Sequence, residues 1–145
     1  MSHNLIKSKK RVKDFAEVYT PEWLVKDMVA LTDASVPYVT VLEPACGNGN
    51  FLAEILRQKL SNCKSLSDVQ ASVESLFGVD IQEDNIEECR ERLHGIVVNA
   101  FPDFDKGMLK EVLGRHILCG NFLTRKKWLQ GRELDELIWF LGDGK

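Results

Sequence analysis

Apolar positions along the chain change their period repeatedly, and each change marks an element. At Thr20-Pro21-Glu22 a threonine able to cap free N–H groups is followed by a proline suited to a first helical turn, and Leu24, Met28 and Leu31 then recur on one helical face. Tyr38 to Leu42 is rich in β-branched and aromatic residues and predicts a first strand. Phe51 to Leu60 returns to helical spacing, with Leu52, Ile55, Leu56 and Lys59-Leu60 as a mostly apolar stripe. Ser61 to Ser67 is polar and reads as a loop, and Val69, Val73 and Leu76 predict a short helix. Leu76 to Ile81 is a second buried strand with an acid at its end. Glu83 to Leu93 follows as a helix with Ile86, Cys89, Arg90 and Leu93 on one side, acids in its first turn and arginines in its last, matching the helix dipole. Phe101 to Gly107 is a turn-rich break, Leu109 to Leu113 is helical, His116 to Cys119 is a third short strand, and Leu137 to Leu141 predicts a fourth.

Strands alternating with helices predict an α/β protein with a doubly wound parallel sheet. Ligands of such sheets lie at the carboxyl ends of the strands, where Glu43, Asp80 and Asn121 stand. The 145 residues form one domain by length, with a basic arm over 1–16 and a folded domain over 17–145. Apolar residues make up 44% and charged residues 28%, ordinary values for a globular protein. A net charge of −3 gives no overall nucleic-acid signature. Lys7, Lys9, Lys10, Arg11 and Lys13 are the local exception, readable as a solvated terminus or as a phosphate-contacting arm. No run is long enough for a membrane span, and no apolar core follows the N-terminal lysines as in a secretory signal. Cys46, Cys63, Cys89 and Cys119 are scattered without a Cys-x-x-Cys pair, which gives metal ligation no support and fits reduced thiols in a cytoplasmic protein.

The chemistry concentrates in Glu43-Pro44-Ala45-Cys46-Gly47-Asn48-Gly49-Asn50-Phe51-Leu52. A strand end, a Gly-x-Gly turn and a helix start bring backbone N–H groups close to a ligand, with no Cβ at the glycines to block the approach. A dinucleotide turn needs a third glycine where Leu52 stands, and a phosphate loop needs Gly-Lys-Ser/Thr where Asn50-Phe51 stands. Glu43 and Asp80 repel phosphates and favour a cationic, hydroxyl-bearing ligand. S-adenosylmethionine fits, with a sulfonium, an amino group, a ribose diol and no phosphate.

This stretch resembles motif I of the adenine-specific (N6) DNA methyltransferases of restriction–modification systems. Val18-Tyr19-Thr20-Pro21-Glu22-Trp23-Leu24-Val25 is similar to their motif X, Phe77-Gly78-Val79-Asp80-Ile81 to motif II, and Ile117 to Leu123 to motif III. Motif X ahead of motif I is the gamma-class order, and the resemblance covers nearly all of the chain after the basic arm. It implies a Rossmann-like S-adenosylmethionine-dependent methyltransferase fold, a partial doubly wound sheet with helices on both faces. It also implies roles. Tyr19, Thr20 and Pro21 approach the methionine end of the cofactor. Glu43, Pro44, Ala45 and the Gly47-Asn48-Gly49 turn support its amino-acid portion. Asp80 accepts from the ribose hydroxyls, Ile81 packs on the adenine, Asn121 takes the place of the usual adenine-binding Asp, and Phe122 lies beside the ring. An Asn there keeps a carbonyl acceptor but loses the charge-assisted strength.

Other readings stand beside these. Glu43 can also be a satisfied strand-end acid and Asp80 a helix cap, Phe51 and Phe122 read as cofactor-pocket wall or as core packing, and Tyr19 and especially Trp23 read as core aromatics. Cys46 and Cys119 read as small buried hydrophobes. The family's motif IV, Asn/Asp-Pro-Pro-aromatic after the fourth strand, grips the target amino group of a base turned out of the stack. This sequence has no Pro-Pro pair. Asp143 and Gly144 follow the predicted fourth strand with no aromatic behind them, so no catalytic residue is assigned. Three arrangements follow. The chain is the cofactor half of a methyltransferase shortened before motif IV, one piece of a split enzyme completed by a partner, or a non-catalytic cofactor-binding or interaction module. DNA is the partner of the assembled enzyme. The apolar, Trp-bearing fourth strand is the expected edge for a partner chain or a homodimer.

Overall fold

The computed structural model describes residues 7–9 and 20–122, with the backbone of 126–129 and 132–136. Among the described residues five helices and five strands follow in the order α1 (Glu22–Val29), β1 (Val41–Glu43), α2 (Asn50–Ser61), α3 (Leu66–Glu74), β2 (Leu76–Asp80), α4 (Glu83–Ala100), α5 (Lys106–His116), β3 (Ile117–Asn121), β4 (Lys126–Leu129) and β5 (Arg132–Glu136). β1, β2 and β3 are parallel neighbours, with Val41 opposite Leu76 and Gly78 opposite Ile117. β4 and β5 then continue the sheet antiparallel from β3, an extension the apolar pattern did not predict. The predicted fourth strand, Leu137 to Leu141, lies outside the described residues, as do Asp143 and Gly144.

Right-handed crossovers that step the same way from β1 to β2 to β3 place their helices on one face of the sheet. The main core agrees. Leu52, Leu56 and Leu60 of α2, Val69 and Val73 of α3, Ile86, Cys89, Leu93 and Val97 of α4, and Leu109 and Leu113 of α5 pack on Leu76 and Ile117. The opposite face carries a smaller cluster, Val79 and Leu118 with Phe77 and Phe122. Among the described residues the parallel sheet is therefore wound one way, with its helical core on one face rather than both.

Several elements differ from the sequence pattern for identifiable reasons. The first strand begins at Val41 and not at Tyr38, whose side chain is 76% exposed. The carbonyls of Val36, Pro37 and Val39 cannot join a ladder, because they converge on Lys59 Nζ at 2.6, 3.2 and 2.7 Å. Lys59 is fully buried, its stem lying within the apolar stripe of α2. α1 buries Val25 and Val29 rather than Leu24, Met28 and Leu31. Leu31 lies beyond the helix end and is 88% exposed, and Trp23 is 68% exposed, not a core aromatic. α4 runs on to Ala100 because Val97 extends its buried stripe, so Arg90 and Arg92 sit mid-helix. Arg90 donates to the carbonyls of Ile117 and Gly114, capping the turn from α5 into β3. Among the described residues no helix is long and apolar enough to cross a membrane.

Candidate functional site

The three parallel strands end side by side. Glu43 pairs with Gly78, and Asp80 pairs with Cys119, so the carboxyl ends step outward from Glu43 to Asp80 to Asn121. The chain leaving β1 stays against β2: the Cys46 N–H donates to the Val79 carbonyl at 2.8 Å. It then turns sharply, with the Gly49 N–H donating to the Cys46 carbonyl at 3.0 Å. Gly47 and Gly49 hold φ values of 55° and 93°, in the left-handed region that strains any residue with a Cβ. Gly49 also lacks room, since a Cβ there would lie 2.7 Å from Cys89 Sγ. Gly49 is the N-cap of α2 and offers no side-chain cap, so the first turn of the helix keeps its N–H groups uncapped by side chains.

Asp80 fastens this turn to the next strand. Its Oδ1 accepts from the Gly47 N–H at 3.2 Å, and its Oδ2 accepts from the Gln82 N–H at 3.0 Å and from Asn85 Nδ2 at 2.9 Å. It does precede a helix, but the N-cap of α4 is Gln82. Glu43 is half-buried, and its Oε1 accepts from the Ala45 N–H at 3.3 Å. Burial pushes its carboxyl above the usual range, and the Ala45 bond partly offsets this. Pro44 and Ala45 are exposed, while Gly47, Asn48 and Gly49 are buried.

Asn48 is only 3% exposed, and its side chain turns away from the strand ends. Its Nδ2 donates to Glu88 Oε2 at 2.9 Å, and its Oδ1 accepts from Arg92 Nη1 at 3.4 Å. The same Arg92 nitrogen reaches the Asn48 carbonyl at 3.1 Å and Asn50 Oδ1 at 2.8 Å. Asn50 Nδ2 donates in turn to the Thr20 carbonyl at 3.4 Å. Thr20 thus meets the turn through its backbone and does not cap α1, whose N-cap is Pro21. Tyr19 lies outside the described residues. Lys7, read as part of a free or phosphate-contacting arm, instead pairs with Asp84 at 3.0 Å and Glu88 at 3.3 Å. Lys10, Arg11 and Lys13 lie outside the described residues.

The remaining predicted residues divide between the two faces. Phe51 packs on the helical core and Phe122 on the Val79–Leu118 cluster. Ile81 is half-buried beside Cys119, whose Sγ contacts its carbonyl at 3.6 Å. Burial pushes the Cys119 thiol up to about 11. Cys46 is raised well above the ordinary thiol range by its hydrogen bond with Cys89 and by burial, so neither thiol is an activated nucleophile. His116 stacks on Phe77 with ring centroids 4.2 Å apart at the opposite, amino end of the strands. Among the described residues no group of His, Cys, Asp and Glu is arranged to hold a metal ion. Sequence reasoning missed Asn85, Glu88 and Arg92. The signal available for two of them was Asp84, Glu88 and Arg92 at four-residue spacing, which is one flank of a helix.

The family model for N-6 DNA methylase matches residues 5–109, well over half of the chain. It takes in the Thr20 segment, the glycine turn and Asp80, and stops before β3. No curated protein and no solved structure matches the chain.

Proposed function

This chain belongs to the N-6 DNA methylase family, and we propose that it forms the S-adenosylmethionine-binding portion of a site-specific DNA adenine-N6 methyltransferase. The observation that carries this reading is the bond from the Gly47 N–H to Asp80 Oδ1. It joins two left-handed glycines at the end of β1 to the acid at the end of β2, which makes one cradle of the two strand ends. The residues fit the cofactor. Glu43 keeps acceptor capacity for an amino group, since a carboxylate offers about four lone-pair sites and one neighbouring N–H uses one of them. Gly47 and Gly49 hold the turn in left-handed conformations that present backbone rather than side chain to a ligand.

In this proposal Glu43, Pro44, Ala45 and the Gly47–Gly49 turn receive the amino-acid portion, with Tyr19, Thr20 and Pro21 beside it. Asp80 and Ile81 hold the ribose and the adenine ring, and Asn121 and Phe122 close the adenine end. Asp80 already accepts from the Gly47, Gln82 and Asn85 donors, so it takes the ribose diol by exchanging one of these bonds. Bound S-adenosylmethionine supplies an electrophilic methyl group. The chain's own residues bind and orient it, and none described here deprotonates or grips an adenine. Methyl transfer, DNA recognition and the gamma-class, restriction–modification setting belong to an assembled enzyme that also brings an Asn/Asp-Pro-Pro-aromatic segment.

A second reading, one piece of a split enzyme or a non-catalytic module, is favoured by one feature. β1 is the edge of the parallel sheet among the described residues. In an open α/β sheet the ligand crevice forms where strand order reverses, so a crevice at β1 calls for a further strand on its other side. A thermal-shift titration with S-adenosylmethionine tests both readings. The midpoint rises with ligand concentration if the cradle binds alone, and rises only with the completing segment present if it does not.

A further inference from the structure

We propose that Arg92, on α4 and outside the motifs that carry the family resemblance, is a positioning residue that holds the Gly47–Gly49 turn in its cofactor-ready shape and ties it to the Thr20 segment. The inference rests on the cofactor reading above. α4 uses two sides. Ile86, Cys89, Leu93 and Val97 enter the core, while Asp84, Glu88 and Arg92 form a polar flank. A turn built on two left-handed glycines gains nothing from local preference, because glycine populates many conformations equally. Its shape must be imposed from outside.

Arg92 does this from one nitrogen. Nη1 lies 2.8 Å from Asn50 Oδ1, 3.1 Å from the Asn48 carbonyl and 3.4 Å from Asn48 Oδ1, so the residues on both sides of Gly49 share one cation. Glu88 completes the clamp. It accepts from Asn48 Nδ2 at 2.9 Å, which aims the other end of that amide at Arg92. Asn50 carries the tie onward, donating to the Thr20 carbonyl at 3.4 Å. The bonds are charge-assisted and partly buried, where such contacts are strongest.

The test has two arms. In the ligand-free protein, Arg92→Met speeds amide hydrogen exchange at Gly47 to Asn50 by about tenfold or more, and leaves the β2 amides unchanged. In calorimetric titrations the same variant binds S-adenosylhomocysteine about tenfold more weakly and binds 5′-methylthioadenosine, which lacks the amino-acid portion, as wild type does. If Arg92→Met does not fold, Asn50→Ala removes the nearest acceptor and the tie to Thr20, and carries the same two measurements. Unchanged exchange in the turn, or equal weakening of both compounds, overturns the inference alone. A wild-type chain that binds neither compound overturns the reading that the cradle holds the cofactor on its own, and the inference with it.

Discussion

A Cβ placed on Gly78 would lie 2.8 Å from Leu52 Cδ1 and 3.1 Å from Cys46 Sγ. In a dinucleotide turn the third glycine lets the helix pack closely on the strand. Here the helix presents Leu52 at that position, and the strand supplies the missing volume through Gly78. The close approach is kept with its two partners exchanged. Gly78→Ala therefore overpacks the contact and destabilises by about 1–3 kcal/mol. Leu52→Ala opens a cavity and costs about 2–5 kcal/mol. Because the new methyl at 78 enters the space that Leu52 vacates, urea denaturation of the double variant gives a loss clearly smaller than the sum of the two. Strict additivity contradicts the pairing.

Lys59 makes stability depend on pH in a particular direction. Burial pulls its amine from 10.5 to about 8, against the raising influence of Cys63 and Asp33. Below about pH 8 the folded and unfolded chains both carry the proton. Between about 8 and 10.5 the unfolded chain keeps a proton that the folded chain has lost, so this residue's contribution to stability rises with pH across that window. Raised thiols that do not interact with Lys59, such as Cys119, act in the opposite sense, and a comparison with Lys59→Met cancels them. The wild type's stability relative to Lys59→Met rises by about 1–3 kcal/mol over the window. At neutral pH the variant leaves the three carbonyls at 36, 37 and 39 without their ammonium. It is then less stable by about 1–3 kcal/mol per acceptor that finds no water. A flat difference across the window contradicts the account.

Asn121 stands at the end of β3, where an Asp would accept with a full charge. Asn121→Asp tightens S-adenosylmethionine binding by about tenfold in calorimetry, the worth of one strengthened hydrogen bond. No gain in affinity places the adenine elsewhere.

The purified chain transfers no labelled methyl group to adenine-containing DNA on its own, since its 145 residues include no Pro-Pro pair and no assigned base-gripping Asn. Incorporation above the protein-free background contradicts the division between cofactor half and reaction half.

Much of this was legible in the sequence because it rests on local chemistry. Helix spacing located α2 to within a residue at each end and found α3, which starts at Leu66 inside the stretch read as a loop, and the acid-terminated runs located the ends of β1 and β2. What stayed illegible depends on contacts between distant residues. Nothing in Tyr38-Val39-Thr40 says that a lysine twenty positions on from Val39 will take that carbonyl out of the ladder. Asn48 reads as a ligand residue until Glu88 and Arg92 are seen to hold its side chain inward. Trp23 and Leu31 read as core because periodicity marks apolar faces without saying which of them a neighbouring helix covers.

The central claim is that the glycine turn and Asp80 together hold S-adenosylmethionine, and the most direct measurement is a calorimetric titration of the wild-type chain and Asp80→Asn with S-adenosylhomocysteine. The account predicts saturable binding with one ligand per chain, weakened about tenfold or more in Asp80→Asn, which keeps one acceptor oxygen for the Gly47, Gln82 and Asn85 donors. Absence of binding by the wild type, or equal affinity in the two proteins, would contradict it.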